Sequence, residues 1–118
     1  MGFPLKLEPY IKKYAVDLFI TGHEHQYERT FPVFNGTVTT AGSSGTFTNP
    51  GAPVYVVQGT SGAFVSGDWE TPQPAWSAYR EGSSYGYGKM RISGAARLDY
   101  EWVTIEGKIL DKFAIVKA

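Results

Sequence analysis

The chain has 118 residues, 42% of them apolar and 19% charged, and it contains no cysteine. That length suits one domain with one core, and the lack of cysteine excludes disulfides and thiolate metal sites. Eleven basic residues balance eleven acidic ones, leaving no electrostatic footprint for nucleic acid, and no apolar run reaches the ~18 residues that span a membrane. Aromatic content is high, with eight Tyr, seven Phe and three Trp, as an aromatic-rich β core requires.

From the N-terminus, residues 4–14 predict a helix, because Leu7, Tyr10, Ile11 and Tyr14 share one face and Lys6, Glu8, Lys12 and Lys13 the other. Val16 to Ile20 is a short apolar run suited to a buried strand. The only two histidines, His23 and His25, follow it. In extended backbone they would point the same way, about 6.5 Å apart, and Gly22 would let the chain turn sharply out of the strand. Asn35-Gly36 predicts a tight hairpin turn, with Thr37 to Thr40 returning. Asn35-Gly36-Thr37 is also a glycosylation sequon, making Asn35 a candidate for modification in a secreted protein.

Further along, residues 41–53 are expected to form an exposed loop, and Pro53 to Gln58 a buried strand ended by Gly59-Thr60-Ser61-Gly62. Residues 63–87 lack sustained periodicity and are expected to make a long irregular excursion. Within it, Trp76, Tyr79, Arg80 and Tyr85 are the residues expected to be ordered, with Arg80, beside Glu81, structural rather than phosphate-binding. Lys89 to Ser93 predicts a strand. Arg97 to Ile105 alternates, with Leu98, Tyr100 and Trp102 on one face, and Glu106-Gly107 turns the chain into Lys108 to Lys117. There Ile109, Phe113 and Ile115 are spaced by twos, with Asp111 interrupting.

The run GHEHQYER at residues 22–29, together with Trp76 to Glu81 and Tyr85 to Gly88, resembles the C-terminal part of purple acid phosphatases. These belong to the calcineurin-like metallophosphoesterase superfamily. A bare His-x-His pair also occurs on ordinary surface strands; the likeness rests on the longer pattern, from about Leu7 to Lys117. The resemblance implies an α/β fold (α+β as an isolated piece), the C-terminal portion of a four-layer α/β/β/α sandwich, mostly β after residue 30. Residues 1–118 would form a single C-terminal segment: 1–29 the last helix, strand and ligand loop, and 30–118 the mainly β region with its long loop at 63–87.

By the same resemblance, His23 would bind the divalent metal and His25 the ferric iron of a dinuclear centre, Fe with Zn, Mn or Fe, whose two ions act together on a phosphate ester. Glu24 is expected not to ligate. Tyr27, Glu28 and Arg29 are expected to hydrogen-bond and pack so as to fix the loop, and Tyr79 is a candidate for the pocket rim. Two imidazoles do not complete such a centre, since each metal ordinarily takes four to six ligands. Asp17, Asp68, Asp99 and Asp111 match no ligand motif. The chain is therefore expected to be a fragment, inactive alone, completed by the missing N-terminal part of the domain or by self-association.

The parent would hydrolyse phosphate monoesters as an acid phosphatase. Alternatives are a non-catalytic binding or assembly module, and a phosphodiesterase or nucleotide pyrophosphatase of the same superfamily. The resemblance implies a secreted, lysosomal or vacuolar location; no membrane or nucleic-acid partner is expected.

Overall fold

The computed structural model describes residues 6–40 and 45–118. Its elements run α1 (Glu8–Lys13), β1 (Leu18–Thr21), β2 (Tyr27–Thr30), β3 (Val33–Phe34), β4 (Thr37–Val38), β5 (Thr46–Thr48), β6 (Val54–Gln58), β7 (Ser77–Glu81), β8 (Gly86–Ser93), β9 (Arg97–Thr104) and β10 (Ile109–Val116). The described residues are mostly β with one short helix, as expected for the C-terminal portion of an α/β fold. The helix is shorter than the predicted 4–14; residues 4 and 5 lie outside the described residues.

Two four-stranded sheets carry the structure, ordered β1-β6-β2-β7 and β5-β10-β9-β8, with β3 and β4 forming a separate hairpin. β6 is parallel to β1 and antiparallel to β2. It lies between them, which explains its unbroken Val54-Tyr55-Val56-Val57: both faces are buried. Val54 and Val56 join Tyr27, Tyr100, Trp102 and Phe113 between the sheets, with Leu18 packed against them. On the other face, Tyr55 packs with Ile11 of α1 and Val33. Three layers follow: helix, sheet, sheet. β1 itself is less buried than its apolar run suggests, with Ile20 45% exposed at the sheet edge.

The Asn35-Gly36 turn forms as expected, both residues having positive φ (49° and 71°), which suits a two-residue hairpin. Glu8, buried beneath it, accepts a hydrogen bond from the Asn35 amide at 2.8 Å.

Several expectations are corrected. Residues 46–48, read as loop, form β5, which pairs in parallel with β10 and buries Phe47; residues 41–44 of that loop lie outside the described residues. Three residues flanked by Gly, Asn and Pro show no local strand signal, because the partner lies more than sixty positions away. The excursion at 63–87 is interrupted by β7, and β8 starts at Gly86 rather than Lys89. Gly86 pairs with Thr104 of β9, and the position needs glycine: a Cβ there would lie 2.5 Å from the Val103 carbonyl and 2.7 Å from Trp102 Cζ2. In β10, the register shifts between Ile109 and Asp111. This bulge takes Ile109 off the face shared by Phe113 and Ile115 and leaves it 48% exposed.

Asp111, the interruption in that strand, ties the two sheets together. Its Oδ2 accepts from Tyr27 Oη (2.9 Å) and Arg29 Nε (2.7 Å), and its Oδ1 from Arg29 Nη2 (2.9 Å). Both charged side chains are buried, 10% exposed for Arg29 and 6% for Asp111. Asp111→Ala strands the guanidinium, so unfolding in urea should show a loss of about 3–5 kcal/mol, most of it recovered when Arg29→Met is added. An additive double variant would contradict the pairing.

Burial also raises four tyrosines, Tyr79 among them, where Glu81 and Asp111 add to the desolvation. Tyr100 and Tyr55 are pushed up to about 12, chiefly by desolvation, with Asp111 acting on Tyr100 and Glu8 on Tyr55. Tyr27 is raised further by desolvation and by Asp111. A phenol whose folded pKa exceeds its unfolded value near 10 stabilises the fold below pH 10 and loses that contribution as pH rises through the folded value. Stability should therefore fall between about pH 10 and pH 12, with four of the eight tyrosines ionising at higher pH in the folded protein than in the unfolded one, as tyrosinate absorbance will show.

Candidate metal-ligand loop

β1 and β2 lie on either side of β6, so the loop of residues 22–26 must cross over the end of β6. That crossing spans two interstrand spacings, about 9.6 Å. The loop's seat is Gly59, just beyond β6. Its amide donates to the Gln26 carbonyl at 3.0 Å, and a Cβ there would overlap the Glu24 carbonyl. Only glycine lets the two backbones meet so closely.

The loop is not extended, which corrects the strand-like picture of His23 and His25. The Glu24 amide bonds to the Gly22 carbonyl at 3.0 Å, and the Gln26 amide to the Glu24 carbonyl at 2.8 Å. Each histidine is thus the central residue of a three-residue turn. His23 has φ 75°, the value of the rare, strained γ-turn. Positive φ falls on His23 and not on Gly22, which meets only the Gln58 carbonyl at ordinary contact distance. The reason is length: a crossing this short must be folded tightly to drop from one strand into the other. A strained non-glycine residue of this kind points to a functional site.

His23 and Glu24 are exposed, while His25 is partly buried. The His25 ring lies edge-on to Phe64, centroids 4.4 Å apart, and its carbonyl accepts from the Ser66 amide at 2.7 Å. Its Nδ1 is buried without a hydrogen-bond partner. An imidazole nitrogen left this way is a natural metal ligand, so the loop suits the role the resemblance implies. Among the described residues, no group of three or more His, Asp or Glu side chains comes together to hold a metal.

Tyr27, Glu28 and Arg29 leave the loop as β2, and all three are buried. Tyr27 and Arg29 face Asp111. Glu28 faces the other way and accepts from Ser77 Oγ and Arg80 Nε, both at 2.7 Å. Arg80, expected to be structural beside Glu81, is paired with Glu28 instead. Glu81 caps its own turn: burial pulls its carboxyl up, but hydrogen bonds from Ser83 and Ser84 outweigh this and hold it low. Trp76 packs against the cluster under α1, and Tyr85 is 38% exposed. Tyr79, the rim candidate, packs against Tyr27 at 6.1 Å between centroids and joins the core between the sheets.

Sequence reasoning overlooked Asp111, Gly59 and Phe64. For Asp111 a signal existed, a carboxylate at core spacing that must find a buried partner. Gly59 and Phe64 gave none, because their roles arise from contacts more than thirty residues away in sequence.

The family described as iron/zinc purple acid phosphatase-like protein C matches residues 52–112. Acid phosphatase type 7 of Danio rerio is 36% identical over 94% of this chain and 26% of its own length. A nucleotide pyrophosphatase/phosphodiesterase of Hordeum vulgare is 30% identical over 88% of the chain and 28% of its own. The solved purple acid phosphatase PPD1 from yellow lupin (Lupinus luteus) seeds superimposes with TM-score 0.87 at 26% identity, covering 94% of this chain and 19% of that one. The chain spans between 17% and 28% of the length of the curated relatives it matches.

The strain at His23 is measurable. His23→Gly relieves the positive φ and His23→Ala does not, so His23→Gly should be the more stable variant by about 1–2 kcal/mol in urea unfolding. Equal stabilities would mean that the turn is unstrained.

Proposed function

Because the chain belongs to the iron/zinc purple acid phosphatase-like protein C family, we propose that it supplies two metal-binding histidines to a phosphate-ester hydrolase, an acid phosphatase acting on monoesters. The observation that carries the reading is the buried, unpartnered Nδ1 of His25 on a strained loop at the carboxyl end of β1, where α/β sheets place their ligands. His23 would hold the divalent ion and His25 the ferric one, in an Fe centre paired with Zn, Mn or Fe. Such a pair supplies an activated hydroxide and neutralises charge on the phosphoryl oxygens.

The chain's own residues serve the site by holding still. Gly59 seats the loop, Phe64 and Ser66 fix His25, and the buried ion pairs of β2 anchor the loop's exit. Two imidazoles leave each metal short of ligands; the others would come from the remainder of a longer parent domain or from a second copy. The chain alone would then be inactive. Asn35, exposed at its hairpin turn, can carry a glycan in a secreted, lysosomal or vacuolar protein. Among the described residues, no helix is long and apolar enough to cross a membrane.

A second reading, phosphodiester or nucleotide pyrophosphate cleavage, draws support from the 30% identity to the barley protein of that name.

Elemental analysis of the complete protein is expected to find about two metals per molecule. His23→Ala and His25→Ala should each lose one metal, together with p-nitrophenyl phosphate turnover. Full metal content in the double variant would overturn the assignment.

A further inference from the structure

We infer that Arg80 is a positioning residue for His25, acting through the segment that fixes the imidazole. This rests on the metal-binding role proposed for His25. Two contacts from that segment hold the histidine. The Phe64 ring lies edge-on to it at 4.4 Å, and the Ser66 amide donates to its carbonyl at 2.7 Å. A segment fixes a ligand only as firmly as it is itself fixed.

β7 supplies that fixing. Arg80 Nη1 donates to the Glu70 carbonyl at 2.8 Å, and the guanidinium lies over the Trp69 ring at 5.0 Å. Its Nε donates to Glu28 at 2.7 Å. Gly82, just past β7, lies against the same segment: a Cβ there would be 2.5 Å from the Ser66 carbonyl and 2.7 Å from Gly67 Cα. Between these two holds the chain turns tightly, with the Asp68 amide donating to Ser66 Oγ at 3.3 Å. Little slack remains.

The contacts close a ring. Glu28 stands on β2, the strand that leaves the histidine loop. Arg80 joins Glu28 to residues 69–70, and Ser66 returns the connection to His25. The Glu28 side chain is fully buried and that of Arg80 is 11% exposed, so this junction lies inside the chain and does not depend on what packs over its surface. The ring runs through His25 and leaves out His23. Arginine suits the place, because its planar fork donates in two directions while its face stacks on an indole, which a lysine ammonium does not reproduce. Contacts that orient a metal ligand from behind are commonly worth about 10–100-fold in metal affinity.

The test uses the complete protein freed of metal, with Arg80→Lys, which keeps a cation beside Glu28, and Trp69→Leu, which leaves the Glu28–Arg80 pair whole. Before any metal is added, hydrogen exchange of the Ser66 amide should quicken about tenfold in both variants. Zinc should bind the unaltered protein in two steps, one lost in His25→Ala and the other in His23→Ala. Arg80→Lys and Trp69→Leu should each weaken the His25 step about tenfold and leave the His23 step as it was. Equal weakening of both steps, no weakening of the His25 step, or unchanged Ser66 exchange would overturn the role of Arg80 while the metal reading stands. Zinc binding untouched by either histidine variant would overturn the metal reading and this inference with it.

Discussion

One buried carboxylate governs how this structure is assembled. Asp111 receives the Tyr27 hydroxyl and two nitrogens of Arg29, joining β10 of one sheet to β2 of the other. Desolvated charges tolerate little displacement, because an offset of one residue would leave a guanidinium or carboxylate unpaired in the core. The pairing therefore sets the relative position of the sheets more strictly than the surrounding rings could. The bulge before Asp111 belongs to the same arrangement, turning the carboxylate inward at the cost of exposing Ile109.

β2 is unusual in being polar on both buried faces. Tyr27 and Arg29 are satisfied between the sheets, while Glu28 is satisfied on the opposite face by Ser77 and Arg80. Arg80 also lies over the Trp69 ring at 5.0 Å, which couples the loop before β7 to the same network. The run at residues 22–29 thus divides into two halves with different chemistry. Its first half offers imidazoles, and its second half is an ionic anchor that fixes where those imidazoles stand.

Rigidity in the anchor permits strain in the loop. His23 is held at a backbone angle that favours glycine, and such a conformation persists only where its surroundings over-determine it. Gly59 beneath the loop, Ser66 beside it and β2 beyond it provide that constraint. The two histidines are placed by folding tightly over the end of β6, not by the alternation of an extended strand. Phe64 then borders His25 from a loop that is itself fixed to β8.

The sequence by itself determined those features whose cause is local. Alternation placed Tyr100 and Trp102 in the core, Asn35-Gly36 made its turn, the apolar run at 54–57 became a central strand, and the longer pattern around the histidines marked the family. The tertiary structure alone decided the rest. β5 exists because a distant strand pairs with it, and β8 lengthens because residues 86–88 find partners in β9. Asp111 read locally as an interruption, and only the opposing sheet shows it to be a junction. The backbone of His23 and His25 was likewise invisible, because it depends on β6 inserting between β1 and β2. A residue's own chemistry and its near neighbours are written in the chain; register, strain and burial of charge depend on which distant segments arrive beside it.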